Sequence, residues 1–178
     1  MSGKRRIVEL RDGTKALIRP IDSDDRERLR KGFESASPKS IFLRFLSPRR
    51  KLTSRELQYL TAIDHDRHEA LIAVDPETGE SFGTARYVRN DDDHEEAEFA
   101  IGVGDRWMRI GLGTALLKSL VALAREAGIA RFTGLVHSEN TAAMRLVEKV
   151  ASDYETRFTG PGAREVVVDI RPTAASEP

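Results

Sequence analysis

The stretch Val103-Gly104-Asp105-Arg106-Trp107-Met108-Arg109-Ile110-Gly111-Leu112-Gly113-Thr114 constrains the fold more than any other, because it joins an alternating strand at 98–103 to a strongly apolar helix at 112–127. Gly128 ends that helix, and 130–136 reads as a strand beyond it. Strand, glycine turn, helix and strand make a βαβ unit. Amides at a helix start lack partners inside the helix and carry the positive end of its dipole, so they can hold a pyrophosphate where no side chain blocks the approach. Gly111 and Gly113 remove that obstruction. The turn has no Gly-Lys-Ser/Thr and lacks the third glycine of a dinucleotide fold, so neither of those phosphate loops is present. A Gly-x-Gly pair alone also fits a tight turn that holds no ligand.

Around this unit the pattern alternates between strands and helices. Residues 7–19 predict a hairpin about Asp12-Gly13, and the acidic capping run 22–25 starts a helix to about residue 34. Ile41, Phe42, Phe45 and Leu46 form a short apolar turn that Pro48 stops, and Thr53 with Glu56 has capping-box spacing ahead of a second helix. A second hairpin follows at 70–74 and 81–89, then an acidic loop at 91–96. Beyond the βαβ unit, 140–150 predicts a helix, and 154–159 with 165–170 a closing antiparallel pair. The stripe Leu116, Leu120, Leu123 and Ala127 is the helix's core face. At 178 residues the chain suits one core: a single domain over 1–170, with 171–178 a disordered tail.

Composition removes several chemistries. Lysine and arginine number 29, as do aspartate and glutamate, so no general electrostatic grip on nucleic acid is expected. No run approaches the length of a membrane span and no signal-like apolar segment follows Met1, which predicts a cytoplasmic protein without a membrane partner. The absence of cysteine excludes disulfides, thiolate metal sites and a cysteine nucleophile.

The glycine turn and its surroundings resemble the GNAT superfamily of N-acetyltransferases, whose motif runs Gln/Arg-x-x-Gly-x-Gly/Ala between a strand and a helix. Within it, residues 40–45 with Arg44-Phe45, Asp64 before His68-Glu69-Ala70, Ala85-Arg86-Tyr87 and Ala97-Glu98-Phe99-Ala100 are most similar to the catalytic domain of bacterial Pat-type protein lysine acetyltransferases. The resemblance implies an α/β (α+β) fold with a mixed, mostly antiparallel seven-stranded sheet and helices on both faces. Its fourth and fifth strands, here 98–103 and 130–136, splay apart. It further implies acetyl-CoA as co-substrate without a metal: Ile101, Gly102 and Val103 take the pantetheine and acetyl groups, Arg109, Ile110, Gly111, Leu112, Gly113 and Thr114 take the pyrophosphate, and Asn140 belongs to the superfamily's second motif. Two positions depart from the pattern. Met108 stands where Gln or Arg is usual, and Val147 stands where many members carry a tyrosine that protonates the departing thiolate, so that route is closed. A separate regulatory domain, common in Pat-type enzymes, has no room in this length.

Acetyl transfer needs a neutral amine, yet a free lysine with pKa near 10.4 is almost wholly protonated at pH 7. A base is required. Glu98 lies three residues before the acetyl-binding segment, and the matching glutamate of Pat-type enzymes is the general base. The same residue also fits a surface position on an alternating strand. Tyr87 is a secondary candidate, or a packed aromatic with a polar tip. His65 and His68 have no evident third partner for a metal, His137 is placed either at the thiol end of the site or in a plain loop, and the acidic run around His94 is a solvated loop or a guide for basic substrates. Arg49-Arg50-Lys51 is solvated surface or a contact for the 3′-phosphate of coenzyme A. The expected activity is acetyl-CoA-dependent acetylation of protein lysine by a monomer or homodimer. The alternatives are the same chemistry on a small amine or polyamine, and an acyl-CoA-binding sensor without turnover.

Overall fold

The computed structural model describes residues 5–151 and 153–172. Its elements run β1 (Arg6–Glu9), β2 (Lys15–Pro20), α1 (Arg26–Ser35), α2 (Pro38–Phe45), α3 (Ser54–Thr61), β3 (His68–Val74), β4 (Ser81–Arg89), β5 (Glu96–Val103), α4 (Leu112–Glu126), β6 (Arg131–His137), α5 (Thr141–Val150), β7 (Tyr154–Gly160) and β8 (Ala163–Asp169). Among the described residues the strands form one eight-stranded sheet in the order β1-β2-β3-β4-β5-β6-β8-β7. Every neighbouring pair is antiparallel except β5 and β6, which are parallel because α4 carries the chain between them.

The mixed, mostly antiparallel sheet is as the resemblance implies, with one strand more than seven because the opening hairpin contributes both its arms. The apolar run expected as a turn after Pro38 is a full helix, α2. Ser37 accepts a hydrogen bond from the Ser40 amide at its start, and proline sits in its first turn, where a missing N–H costs nothing. The expected tail at 171–178 lies, apart from Arg171 and Pro172, outside the described residues. Among the described residues no helix is long and apolar enough to cross a membrane.

Helices cover both faces. Leu112, Leu116, Leu117, Leu120, Val121 and Ala124 of α4, with Val147 of α5, pack on Ile18, Leu71, Ala85, Phe132 and Val166 of one face. Leu29 of α1 and Leu57 and Leu60 of α3 close over Ala70, Ile72 and Val74 on the other. β3 lies between the layers, which is why it is apolar at nearly every position and buried throughout. Ala127, expected in the core stripe, is instead the exposed cap of α4. A buried ion pair fixes β2 to α1: Arg19 donates two bonds of 2.7 Å to Asp25, which is fully buried and also takes a 3.1 Å bond from Arg28.

Candidate active site

β5 and β6 part company early. They pair at Glu96 with Arg131, Ala97 with Phe132 and Glu98 with Thr133, and no further, while β4 stays paired to β5 as far as Val103 and β8 to β6 as far as His137. The inner edges beyond Glu98 on β5 and Thr133 on β6 thus face each other without a ladder. At the point of divergence Gly134 is required, since a Cβ there would lie 3.1 Å from the Phe99 ring and 3.2 Å from its carbonyl oxygen. Because the two strands are parallel, their C-terminal ends and the N-termini of α4 and α5 gather at the open end of the wedge. That is where open α/β sheets bind ligands.

The turn before α4 lies at this end. Gly111 sits at φ +101° and Arg109 at φ +64°, left-handed conformations that turn the chain sharply into a helix of 15 residues. Among the described residues nothing accepts a hydrogen bond from the amides of residues 109–114. The hairpin between β1 and β2 braces the turn from outside: the Arg11 amide donates to the Ile110 carbonyl at 3.0 Å and its guanidinium to the Arg109 carbonyl. Gly113 faces inward, 3.4 Å from Leu146 at the position of a Cβ, so its smallness lets α4 and α5 approach. The six unpartnered amides and the open strand edge fit a ligand that is anionic at one end and amide-rich along the other. Asn140 caps α5, its side-chain oxygen taken by the Ala143 amide at 3.1 Å, which leaves its NH2 available at the open end.

Alternation separates the side chains of β5. Ala97, Phe99, Ile101 and Val103 pack toward α4, so Ile101 and Val103 present backbone to the wedge and side chain to the core. Glu98, Ala100 and Gly102 face the other way. Glu98 is exposed, at the apex, about 10 Å along the strand from Ile101. Its neighbours across the sheet are Val88 and then His68, while Arg86 lies beside Ala100. α2 crosses this face over β5 and β6, with Phe42 edge-on to His137 at 5.3 Å and the Arg44 side chain 3.9 Å from where a Gly102 Cβ would be. Asp105, just past β5, holds α2 there by accepting from the Ser37 amide at 2.6 Å and from the Ser40 hydroxyl.

Charge on this face is mostly guanidinium. Burial holds Arg44 below the ordinary arginine range, with Glu98 pulling it up and Arg49 pushing it down. Burial, reinforced by Arg44, brings Arg86 to about 10; it donates to the Leu60 carbonyl and to His68 Nε2. Burial and then Arg86 push His68 down to about 4, so at neutral pH it is an uncharged acceptor.

The candidates outside this cluster separate. Tyr87 is buried on the opposite face, tilted against Phe132 at 6.0 Å, and burial raises it to about 12; it does not reach Glu98's side of the sheet. Val147 is 3% exposed among core residues. His65 bonds Glu69 and His68 bonds Arg86, and among the described residues no group of acidic and imidazole side chains gathers as a metal site. Arg49 pairs with Glu56. Arg44 joined the sequence reading only as part of a resemblance; nothing local marks a helical arginine as a neighbour of a distant strand.

The model of the acetyltransferase (GNAT) domain matches residues 15–151. The chain belongs to the GNAT acetyltransferase family. It is 29% identical over 96% of its length to the acetyltransferase Pat of Mycolicibacterium smegmatis, and spans about half of that protein, 51%. The crystal structure of the GNAT domain of S. lividans PAT is 31% identical, with a TM-score of 0.84 over 93% of this chain and 96% of that one. A Salmonella typhimurium protein solved with its cofactor acetyl-CoA shares the fold at 18% identity, with a TM-score of 0.70 over 91% of this GNAT chain and 98% of the other.

Proposed function

We propose that this acetyltransferase moves the acetyl group of acetyl-CoA to lysine side chains of proteins by direct transfer, with Glu98 as general base. The observation that carries this reading is the place of Glu98: an exposed carboxylate at the last paired residue before the two parallel strands diverge. The resemblance to Pat-type protein lysine acetyltransferases, with the similarity to relatives named acetyltransferase Pat and PAT, supports the protein-directed form of the reaction, and the acetyl-CoA bound by the S. typhimurium protein supports the co-substrate.

Bound acetyl-CoA supplies an activated thioester. The chain does the rest. The free amides of 109–114 receive the pyrophosphate, with the helix dipole behind them. The unpaired backbone of Ile101, Gly102 and Val103 takes the pantetheine as an added strand would, and the Asn140 NH2 adds a donor at the open end. Glu98 accepts the proton that an incoming ammonium must lose before its nitrogen can attack. Val147 has no proton to give at the position where the family resemblance implies a tyrosine in many members, which leaves protonation of the thiolate to solvent or to the acceptor nitrogen.

Incubation with acetyl-CoA and a panel of proteins, free amines and polyamines, read by mass spectrometry, tests the acceptor class; acetylation confined to small amines overturns the protein reading. Glu98→Gln preserves shape and removes the base. Turnover near pH 7 is expected to fall on the order of a hundred- to ten-thousandfold while acetyl-CoA affinity holds, with recovery at high pH where free amine is abundant. Parental turnover by Glu98→Gln near pH 7 would show that Glu98 is not the base.

A further inference from the structure

Around Arg44, on the face that holds Glu98, positive charge exceeds negative. Glu98 is the carboxylate whose charge reaches Arg44, while Arg86 and Arg49 are the cations around Arg44; His68 is neutral there, and Arg49 is already paired with Glu56. Such a patch repels a bare ammonium, yet an amine is what a family member must admit. Arg86 is committed, through bonds to the Leu60 carbonyl at 3.3 Å and to His68 at 3.2 Å. Arg44 is not. Its stem lies over Gly102 and its guanidinium packs 5.0 Å from the centre of the Phe45 ring, and among the described residues no acceptor takes a hydrogen bond from it. Its nitrogens are not sealed away: among the described residues the buried side-chain nitrogen left without a partner is that of Arg89. Arg44 also forms no contact ion pair with Glu98, although the two lie within electrostatic reach.

A partly desolvated guanidinium with five donors and no acceptor is costly unless something it binds completes it. We infer that the acceptor carries a carboxylate close to the amine that is acetylated, and that the Arg44 guanidinium receives it. The carboxylate cancels the surplus charge beside Glu98, and the planar fork of arginine matches its two oxygens. Asp105 helps to hold Arg44 there by pinning the start of α2 to the loop leaving β5, so acceptor recognition and the turn before α4 share one support. This inference rests on acetyl transfer to an amine at Glu98. The carboxylate has two chemical sources, the α-carboxylate of a free amino acid or an acidic side chain flanking a lysine in a polypeptide.

Two matched pairs of acceptors distinguish these sources: leucine against leucinamide, and a lysine peptide with a flanking glutamate against the same peptide with glutamine. With kcat/KM normalised to free-amine concentration, the carboxylate member of at least one pair is expected to lead by about ten- to a hundredfold, the worth of a charge-assisted hydrogen bond. The leading pair names the source. Arg44→Gln should bring that ratio close to one, and Arg44→Lys, which keeps charge and loses the fork, should leave an intermediate ratio. A parent ratio within about twofold in both pairs overturns the inference, as does an Arg44→Gln protein that slows both members of a pair equally, since a structural or Glu98-supporting role would act in that way. If Arg44→Gln does not fold, competition by glutarate against the acceptor in the parent decides the matter, and absence of competition refutes it. Acetylation of no amine at all sinks the proposed function as well, whereas acetylation without preference sinks this inference alone.

Discussion

Acidification should expose His68 as the group that sets the protein's acid limit above pH 4. The residue is 6% exposed, and its Nε2 accepts from the Arg86 guanidinium at 3.2 Å, so protonation would set two donors against each other in a buried site. Burial, followed by the charge of Arg86, lowers the imidazole from 6.5 to about 4 in the folded protein, while the unfolded chain keeps the ordinary value. Between those values the unfolded state binds more protons than the folded one. Stability is therefore complete above pH 6.5 and is lost as pH falls toward 4. The loss attributable to this one group is about 2 kcal/mol at pH 5 and about 3 kcal/mol at pH 4. For a domain of this size that corresponds to roughly 4–8 °C of melting temperature at pH 5. Asp25 and Asp64, held low by their hydrogen bonds, come into play only below that window. The assay is thermal unfolding from pH 7.5 to 4.5 for the parent and for His68→Gln, whose amide can accept from Arg86 but cannot titrate. The parent's melting temperature should fall more steeply than the variant's between pH 6.5 and 4.5. Parallel curves would refute the reasoning, and an NMR titration placing His68 at its ordinary value would do so directly.

The remaining predictions concern one buried pair and one ligand. Burial by itself would push the Asp25 carboxyl up, but hydrogen bonds from Arg19 and the Asp22 amide, with the charges of Arg19 and Arg28, hold it below the ordinary range. Asp25→Ala leaves Arg19 charged and 9% exposed, and should cost about 3–5 kcal/mol in a urea titration; a cost under about 1 kcal/mol would mean water replaces the carboxylate. At the turn before α4 any side chain placed at Gly111 would strain the backbone at φ +101°, so the ligand rather than the protein should be altered. Acetyl-pantetheine, which lacks the phosphates, should bind at least about a hundredfold more weakly than acetyl-CoA by calorimetry, and added salt should narrow the gap. Equal affinities would remove the amides of 109–114 from the cofactor site.

Local chemistry alone determined most of the elements and one side of the site. Capping residues announced α1 and α3, apolar alternation and periodicity announced β5 and α4, and the glycines of the turn pointed to the unpartnered amides, because each depends on neighbours within a turn or two. Pro38 and the short apolar run after it concealed α2, whose start is capped by Ser37 and anchored by the distant Asp105. No local spacing announced the wedge, which the sequence offered only through the family resemblance: it exists because β5 and β6 hold only three register pairs before Phe99 meets Gly134 and the strands diverge. Only packing buried His68 against Arg86, turned Tyr87 to the face opposite Glu98, and laid Arg44 across Gly102. Each of those relations joins residues far apart along the chain, so it is set by how layers stack and not by any local spacing that a sequence can display.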